Sequence, residues 1–466
     1  MSTIDTVHPD YALELKDWVK IEDITRRRNL HKYLLYLNPQ DKSKDNEARN
    51  QQYRERAIFY AITSQTVSGM IGTMFRKFPN LSVPKTLEYV LRNIDGANTS
   101  IYQQSQGLCD DVIRKSRAGL YVAYPPVDGP ISQADMIEGR YVATIHRFEP
   151  EQIINWRVVT ENATTKLKFV VLEEYKEKPD QYTTDRYRTL RELYLDDDGI
   201  YKERHWSDLD GSLSVVDQVT PTDAQGNVWR EIPFMFVGSE NNDAKVDRSV
   251  MLPLVELNIG HYRNSADWED SVWYCGQPQP WMSNVTEDHL QLMKQYGMYV
   301  GSREVLGVPD GGAFSFAAAP PNPLVRQAMQ DKVEMMLALG ARIIQPGGAA
   351  RTATEIAGQR EAQHSILSLI AQNTSEAYTQ CLQWAGRYMG VSDNDMADIG
   401  YEINSDFVAV ESSPQELQQM MAGFIQGTIP TTDYIAYMKK VGKFDAEKKT
   451  EDYVDLLTQA TAIGAE

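Results

Sequence analysis

The chain lacks the cysteines and the long apolar runs that mark exported and membrane proteins. Its 3 cysteines, Cys109, Cys275 and Cys381, are too few and too scattered for a disulfide framework or a zinc site. No apolar run reaches the roughly 18 residues from which a membrane-spanning helix is predicted. The N-terminal stretch is polar and acidic and lacks the apolar core of a signal peptide. We therefore expect synthesis in a reducing cytoplasm and no membrane partner.

The sequence motifs of the common catalytic and nucleotide-binding sites are also absent. GxxxxGK[ST], HExxH, GxSxG, GxGxxG and paired CxxC do not occur, and Gly442-Lys443 lacks the upstream glycine and the hydroxyl of a phosphate-binding loop. The 7 histidines are dispersed. His261 and His364 fall on predicted helix surfaces, where we expect solvated or interface side chains. These observations predict no enzyme, no cofactor and no metal site.

Basic residues are scarce in most of the chain. The net charge is −18, yet the first 100 residues carry 15 Lys/Arg against 12 Asp/Glu, so the remainder holds −21. Residues 355–413 contain only Arg360 and Arg387 against nine acids. One interpretation is an ordinary acidic soluble protein. The other is a surface that does not hold nucleic acid, since many Lys/Arg contacts would release counterions and bind tightly; net charge alone does not decide.

Hydrophobic periodicity predicts an α+β chain that is mainly helical. Apolar residues at three- and four-residue steps predict helices over 11–37, 47–77 and 99–117. Residues 141–240 alternate apolar and polar positions, which predicts a strand-rich region with hairpin turns at 197–199 and 208–211.

The second half of the chain predicts two helices that flank an insert, followed by a very long helix. The first helix covers 249–275 and is about 40 Å long at 1.5 Å per residue. The insert is expected to contain a strand near Trp281-Met282, a helix over 287–296 and strands over 304–308 and 313–318. A helix over 355–388, about 50 Å long, a strand over 401–410 and amphipathic helices over 414–466 follow.

The loop PGGAARTAT at 346–354 is the segment with the most functional character. Pro346 ends the preceding helix, and Gly347-Gly348 give the backbone freedom. Arg342 and Arg351 are the basic residues between Lys332 and Arg360. The loop is either an ordinary helix connection or a mobile loop that faces a lumen, with Arg351 in transient contact with phosphate.

Several short motifs, in this order, carry a resemblance to a known family. They are Tyr53-Arg54-Glu55-Arg56-Ala57 through Phe75-Arg76-Lys77-Phe78-Pro79, Asp95-Gly96, Gly119-Leu120-Tyr121-Val122, Leu257-Asn258-Ile259-Gly260-His261-Tyr262-Arg263, Leu339-Gly340-Ala341-Arg342-Ile343-Ile344 and Thr352-Ala353-Thr354-Glu355. Over roughly residues 45–410 the chain resembles the portal protein of tailed double-stranded DNA bacteriophages. Ala97-Asn98 stand where the family has a further glycine.

The resemblance implies a ring, expected to be a dodecamer, at one capsid vertex. The implied parts are a wing (1–248), a stem helix (249–275), a clip (276–320), a second stem helix (321–345), a tunnel loop (346–354), a long helix with a wing strand (355–412) and a helical C-terminal crown (413–466). The tunnel loop and its approach would be formed by Arg342, Pro346, Gly347, Gly348, Arg351 and Thr352. Clip docking would use Trp281, Met282, Tyr296, Arg303 and Glu304.

The resemblance also implies the partners. Double-stranded genomic DNA would pass through the centre, and the clip would meet the terminase packaging motor and later the head–tail adaptor. The major capsid and scaffold proteins would meet the wing, in a virion assembled in the host cytoplasm. Two alternatives stay open from the residues. One is a polysaccharide-acting hydrolase that uses paired carboxylates, and the other is a different self-assembling virion connector.

Overall fold

The structure is a computed structural model that describes most of the chain. The described residues are 3–125, 141–161, 163–178, 184–209, 211–277, 279–297, 307–317, 323–340, 353–405, 414–425 and 428–440, with positions 182, 443, 450, 453 and 454. The chain divides into two compact units, residues 1–405 and 406–466. In the part that is described, we find no helix long and apolar enough to cross a bilayer.

The first unit combines helices and antiparallel strands. Its helices are α1 (Pro9–Arg26), α2 (Lys44–Arg56), α3 (Ile62–Met74), α4 (Ile101–Lys115), α5 (Leu252–Gly276), α6 (Glu287–Tyr296), α7 (Pro323–Leu339), α8 (Ala353–Tyr388) and α9 (Asp393–Met396). Its strands are β1 (Asn80–Ser82), β2 (Arg117–Ala123), β3 (Thr144–Phe148), β4 (Ile153–Glu161), β5 (Thr164–Glu177), β6 (Arg186–Leu195), β7 (Tyr201–Ser207), β8 (Ser214–Val219), β9 (Phe234–Gly238), β10 (Gln279–Met282), β11 (Phe314–Ala317) and β12 (Gly400–Glu402). Short 3-10 turns occur at Leu30–Tyr33, Lys85–Leu91 and Pro150–Gln152.

A five-stranded antiparallel sheet confirms the predicted strand-rich region. Its order is β4-β5-β6-β7-β8, so each strand pairs with the next one in sequence. The predicted turn between β6 and β7 forms because the Asp196 carboxylate accepts from the backbone N–H groups of Asp198 and Ile200, at 3.0 and 2.8 Å. Gly199 follows with a φ of +70°, which glycine adopts without strain.

A three-stranded sheet has the order β3-β2-β9, and its middle strand is buried over six of its seven residues. Its middle strand β2 follows α4, whose start is fixed by a capping box between Ser100 and Gln103. The packing is tight at Gly119, where a Cβ would lie 2.6 Å from the Phe234 ring. The carboxyl-terminal part of α8 covers this sheet with the predicted apolar stripe, which includes the buried Leu367, Ile370, Thr374, Ala377, Cys381 and Tyr388.

A buried ionic cluster joins α1 and α4 to the turn before β4. The ammonium group of Lys115, fully buried, lies 3.3 Å from Glu22, 3.0 Å from Glu149 and 2.6 Å from Glu151. Burial by itself raises the pKa values of Glu22 and Glu149, but the positive charges of Lys115 and Arg114 together more than offset this and leave both below their usual range.

The single helix predicted over 47–77 is wrong, because the chain forms two helices there. Residues between α2 and α3 leave the helical path to bind α5. The Ile58 N–H donates to Ser265 Oγ at 2.9 Å, and the Tyr60 carbonyl accepts from Asn258 Nδ2 at 2.8 Å. The apolar spacing continues through the break, so only these contacts with α5 reveal it. The helix predicted over 11–37 is similarly shorter, since α1 ends at Arg26.

The second unit contains two described helices, α10 (Pro414–Ile425) and α11 (Thr431–Lys440). The rings of Phe424 and Tyr434 stack with their centroids 4.3 Å apart, which packs the two helices on each other. Pro414 is the first residue of α10, as the sequence predicts. The strand predicted over 401–410 is described only to residue 405, and within that part it is limited to β12.

Candidate functional site

The two helices that flank the insert, α5 and α7, pack against each other in antiparallel orientation. At one end a Cβ on Gly340 would lie 3.2 Å from Leu254 Cδ2. Farther along, a Cβ on Gly260 would lie 3.2 Å from Lys332 Cε. Moving from the first contact to the second, residue numbers rise along α5 and fall along α7, so the two helices run in opposite directions. The insert that joins them therefore lies at the end of the pair remote from Leu254 and Gly340. The missing side chains of the two glycines allow this close approach.

The first half of α5 is buried in the body of the unit. Val255 and Ile259 pack with Ile21 and Ile24 of α1 in one apolar cluster. Asn258 fixes the helix to α3 because its Oδ1 accepts from Thr63 Oγ1 at 2.7 Å. This half of α5 is therefore a rigid base for the second half of the helix.

The prediction of a surface position for His261 is wrong. His261 is buried on α5, and its ring lies 5.8 Å from the ring of Tyr60. Burial lowers the pKa of His261, and the positive charge of Lys332 lowers it further. The sequence misleads here because the 57–61 segment covers the face of α5 on which His261 lies.

The second half of α5 is held by a cluster of charged and aromatic side chains from α2. The guanidinium of Arg49 donates to both oxygens of Asp270, at 2.6 and 2.5 Å, and Arg56 donates to Asp270 Oδ1 at 3.2 Å. The Tyr53 hydroxyl donates to Asp267 Oδ1 at 2.7 Å. We call these five side chains the α2 clamp. It fixes the direction in which α5 leaves the body.

The insert at the far end is a small module of β10, α6 and β11. The two strands pair antiparallel, with Gln279 opposite Ala317 and Met282 opposite Phe314. Thr286 caps α6 by accepting from the His289 N–H, and α6 has the predicted bounds. The second predicted strand, over 304–308, lies largely outside the described residues, and Gly307 and Val308 are not in a strand.

The docking residues predicted in the insert are only partly placed. Trp281 lies on β10 with 45% of its surface exposed, beside the half-buried Met282. Tyr296 ends α6, and Arg303 and Glu304 lie outside the described residues. All six tunnel-loop residues, Arg342, Pro346, Gly347, Gly348, Arg351 and Thr352, also lie outside them. α7 ends at Leu339 before that segment and α8 begins at Ala353 after it.

Exposed apolar side chains are concentrated on this helix–insert–helix module. They are Val272, Trp273, Tyr274, Trp281, Leu290, Leu292, Val308, Phe316, Leu324, Met335 and Leu339. Single exposed apolar residues are normal, but a concentration of large ones marks an interaction surface. Of these exposed residues, only Trp281 is among the five docking residues predicted from the sequence. The signal for the others was apolar residues on more than one face of α5, as in Val272-Trp273-Tyr274.

A separate cleft of about 650 Å³ lies where the start of β5, residues 223–232 and the end of α8 meet. Its two acidic lining residues, Asp223 and Glu231, already have structural partners. Asp223 Oδ1 accepts from the N–H groups of Gln225 and Asn227 at 2.9 and 2.8 Å. Glu231 accepts from Arg387 at 2.5 Å and from Trp384 Nε1 at 3.2 Å. Neither is placed as a free acid or base, so this cleft does not support paired-carboxylate hydrolysis. Among the described residues, no group of His, Cys, Asp and Glu could hold a metal ion.

Comparison with known proteins gives one family match. The model of a domain of unknown function, DUF4055, matches residues 250–389, under a third of the chain. The matched segment begins just before α5 and ends just after α8, so it contains both helices, the insert and the long helix. No curated protein matches the chain.

One solved structure with a similar chain is described as the neck of an empty GTA particle computed with C6 symmetry. The alignment has 12% sequence identity and a TM-score of 0.42, and it covers 82% of this chain and 90% of that chain.

Proposed function

We propose that this chain is one protomer of a ring-shaped portal channel at a phage capsid vertex, through which double-stranded DNA is packaged and ejected. The observation that carries the proposal is the antiparallel α5–α7 pair, which is anchored in the body at one end and bears the insert at the other. In a portal protomer, the pair would be the stem, the insert would be the clip, and α8 would return the chain to the wing.

The exposed side chains of the helix–insert–helix module support assembly. Leu324 of α7 is 72% exposed and Met335 is 53% exposed. A neighbouring copy would cover them in a ring, where each subunit presents one face to the copy on its left and another to the copy on its right. We propose a dodecamer on the resemblance to portal proteins.

The charge distribution suits a channel that lets DNA slide. A duplex held by many lysines and arginines would gain counterion-release free energy and bind tightly, whereas most of this chain is acidic. We propose that the segment around Gly347 and Gly348 faces the lumen, with Arg342 and Arg351 as its transient phosphate contacts. The absence of an ATPase motif fits a conduit whose motor is another protein.

The exposed aromatic surface of the insert fits the docking of other virion components. Trp281 and Phe316 lie on opposite strands of the β10–β11 pair and are 45% and 50% exposed. Large aromatic side chains of this kind are typical anchors of protein interfaces. We propose that the terminase motor and then the head–tail adaptor bind here, and that the wing contacts the major capsid and scaffold proteins.

The proposal is tested by measuring the mass of the purified full-length protein, whose single chain is 52.9 kDa. We expect a ring-sized assembly that is weakened when Leu324 and Met335 are both changed to Glu. The control is Val216→Glu, which charges an equally exposed position on β8 of the five-stranded sheet. Monomers at every concentration and salt condition would contradict the proposal, as would equal loss of assembly in the control.

A further inference from the structure

The cleft beside the end of α8 has no role in the portal proposal, and its construction points to a ligand. Its floor contains Trp229 and Trp384, which are only 5% and 6% exposed. The Tyr388 ring stacks on Trp229 with a centroid distance of 4.4 Å, and the Tyr124 ring stacks on Tyr388 at 5.2 Å. The floor is therefore a packed aromatic layer with a fixed shape.

Some charged groups that line the cleft have charged or hydrogen-bonding partners, whereas two of its cations form no ion pair among the described residues. Both acids, Asp223 and Glu231, already accept hydrogen bonds from neighbouring groups. The cations are Lys166, Arg230 and Arg387. Arg387 is paired with Glu231, while Arg230 donates to the Asp198 carbonyl at 3.3 Å. Neither Lys166 nor Arg230 forms an ion pair with a carboxylate of the described residues, and both are exposed at the rim.

This local balance is opposite to that of the whole chain. The chain carries a net charge of −18, yet the cleft is lined by three cations, Lys166, Arg230 and Arg387, and by only two acids, Asp223 and Glu231. In addition, Trp229 Nε1 is a buried donor without a hydrogen-bond partner among the described residues. A cleft with spare donors and spare positive charge is complementary to a ligand with carboxylates.

The exposure of the two indole rings decides between two classes of anionic ligand, a nucleic acid and an acidic peptide. Nucleobases bind by stacking on open aromatic faces, and the faces of Trp229 and Trp384 are covered. The volume of about 650 Å³ exceeds a small anion and lies in the range of roughly 300–1,000 Å³ that is typical of ligand clefts. A short peptide fits both facts, since its carboxylates reach the rim and its apolar side chains enter the cleft.

We propose that this cleft is a docking site for an acidic peptide segment of a partner protein, in which carboxylates bind Lys166 and Arg230 and an apolar side chain packs on the apolar lining residues Leu167 and Val228. The site belongs to the five-stranded sheet and the end of α8, so it does not depend on the stem, the insert or the ring.

The test measures binding of a short fluorescein-labelled peptide of alternating glutamate and leucine to the full-length protein by fluorescence anisotropy. We expect saturable binding, and a Kd that rises about tenfold or more when Lys166→Ala and Arg230→Ala are combined, since two desolvated charge contacts are lost. Both positions are exposed, so the variant should fold.

Three controls make the result decisive. Lys176→Ala with Arg186→Ala removes the same charge from the opposite end of β5 and β6, about 33 Å away at 3.3 Å per residue, and should leave the Kd within about twofold. The same peptide with glutamine in place of glutamate should bind weakly. No binding by the wild-type protein, equal loss in the two double variants, or stronger binding of a single-stranded oligonucleotide that displaces the peptide would overturn the proposal.

Discussion

Replacing Asp270 by Asn should loosen the second half of α5 and leave its base intact. Asp270 is the shared acceptor of the α2 clamp, where it receives two hydrogen bonds from Arg49 and one from Arg56. The variant keeps the size of the side chain but removes the negative charge. Arg49 and Arg56 then lose their carboxylate, while Arg56 keeps its hydrogen bond to Gln52 Oε1 at 3.3 Å and its position 4.0 Å from the Trp273 ring centroid.

The free energy lost in Asp270→Asn depends on how far the side chains of the α2 clamp are exposed to solvent. Hydrogen bonds to charged groups contribute about 1.5–3 kcal/mol when they are buried, but exposed ion pairs contribute only about 0.2–1 kcal/mol. The side chain of Arg49 is 37% exposed and that of Asp270 is 17% exposed, so the clamp lies between these limits. We expect a loss of about 1.5 kcal/mol, which corresponds to roughly tenfold more frequent local opening.

Hydrogen exchange followed by mass spectrometry measures how often the second half of α5 opens locally. Amides in the second half of α5 should exchange roughly tenfold faster in Asp270→Asn, while those around Val255 should be unchanged. Glu269→Gln is the matched control, because Glu269 is adjacent and forms no ion pair among the described residues. Unchanged exchange in Asp270→Asn, or equal acceleration in both variants, would show that the clamp does not hold the helix.

Three further outcomes are expected from other parts of the molecule. Gly119→Ala should lower the free energy of unfolding by about 1–3 kcal/mol, because its Cβ would overlap an aromatic ring of β9; an unchanged urea midpoint would show that this contact can relax. The stability that Glu22 and Glu149 supply is present above their unfolded pKa of about 4.5 and is lost as the pH falls through their lowered folded values. Lys115→Gln should therefore flatten the decline of the melting temperature in acid, and an equally steep decline would exclude Lys115 as its cause. Trp281→Ser should weaken adaptor binding by about 2 kcal/mol or more and leave the assembly mass unchanged, as calorimetry with the purified adaptor would show; undiminished affinity would remove Trp281 from the docking surface.

The sequence predicted those elements whose own residues determine them. The bounds of α6 follow from Thr286, which caps its first turn, and from Gly297 after its last residue. The long apolar stripe of α8 and the turns at Asp196–Gly199 are likewise local patterns. The same holds for the order of helix, insert and helix, on which the resemblance to portal proteins depends.

The sequence failed where contacts from distant segments decide the outcome. The break between α2 and α3 exists because Ser265 and Asn258 of α5 bind the backbone of residues 58 and 60. That same segment buries His261. No pattern along the chain reveals these contacts, because Ile58, Phe59 and Tyr60 continue the helical spacing.

The candidate sites also differ in how far the sequence alone could predict them. The docking role of Trp281 was predicted from the resemblance to portal proteins, and it stays a prediction, although the residue is 45% exposed. The cleft could not be predicted, since Lys166, Arg230 and Trp384 come from three segments that only the fold brings together. The predicted roles of Arg342 and Arg351 remain predictions, because both residues lie outside the described part of the chain.

Negative-stain electron microscopy of the purified full-length protein tests the central claim most directly. A gold label would be placed on α6 through Glu287→Cys in a Cys275→Ser background, since the other two cysteines are buried. The account predicts closed rings with a central hole and the gold at the narrow end, where the insert would lie. Solitary particles without a hole, or rings with the gold on the outer rim, would contradict it.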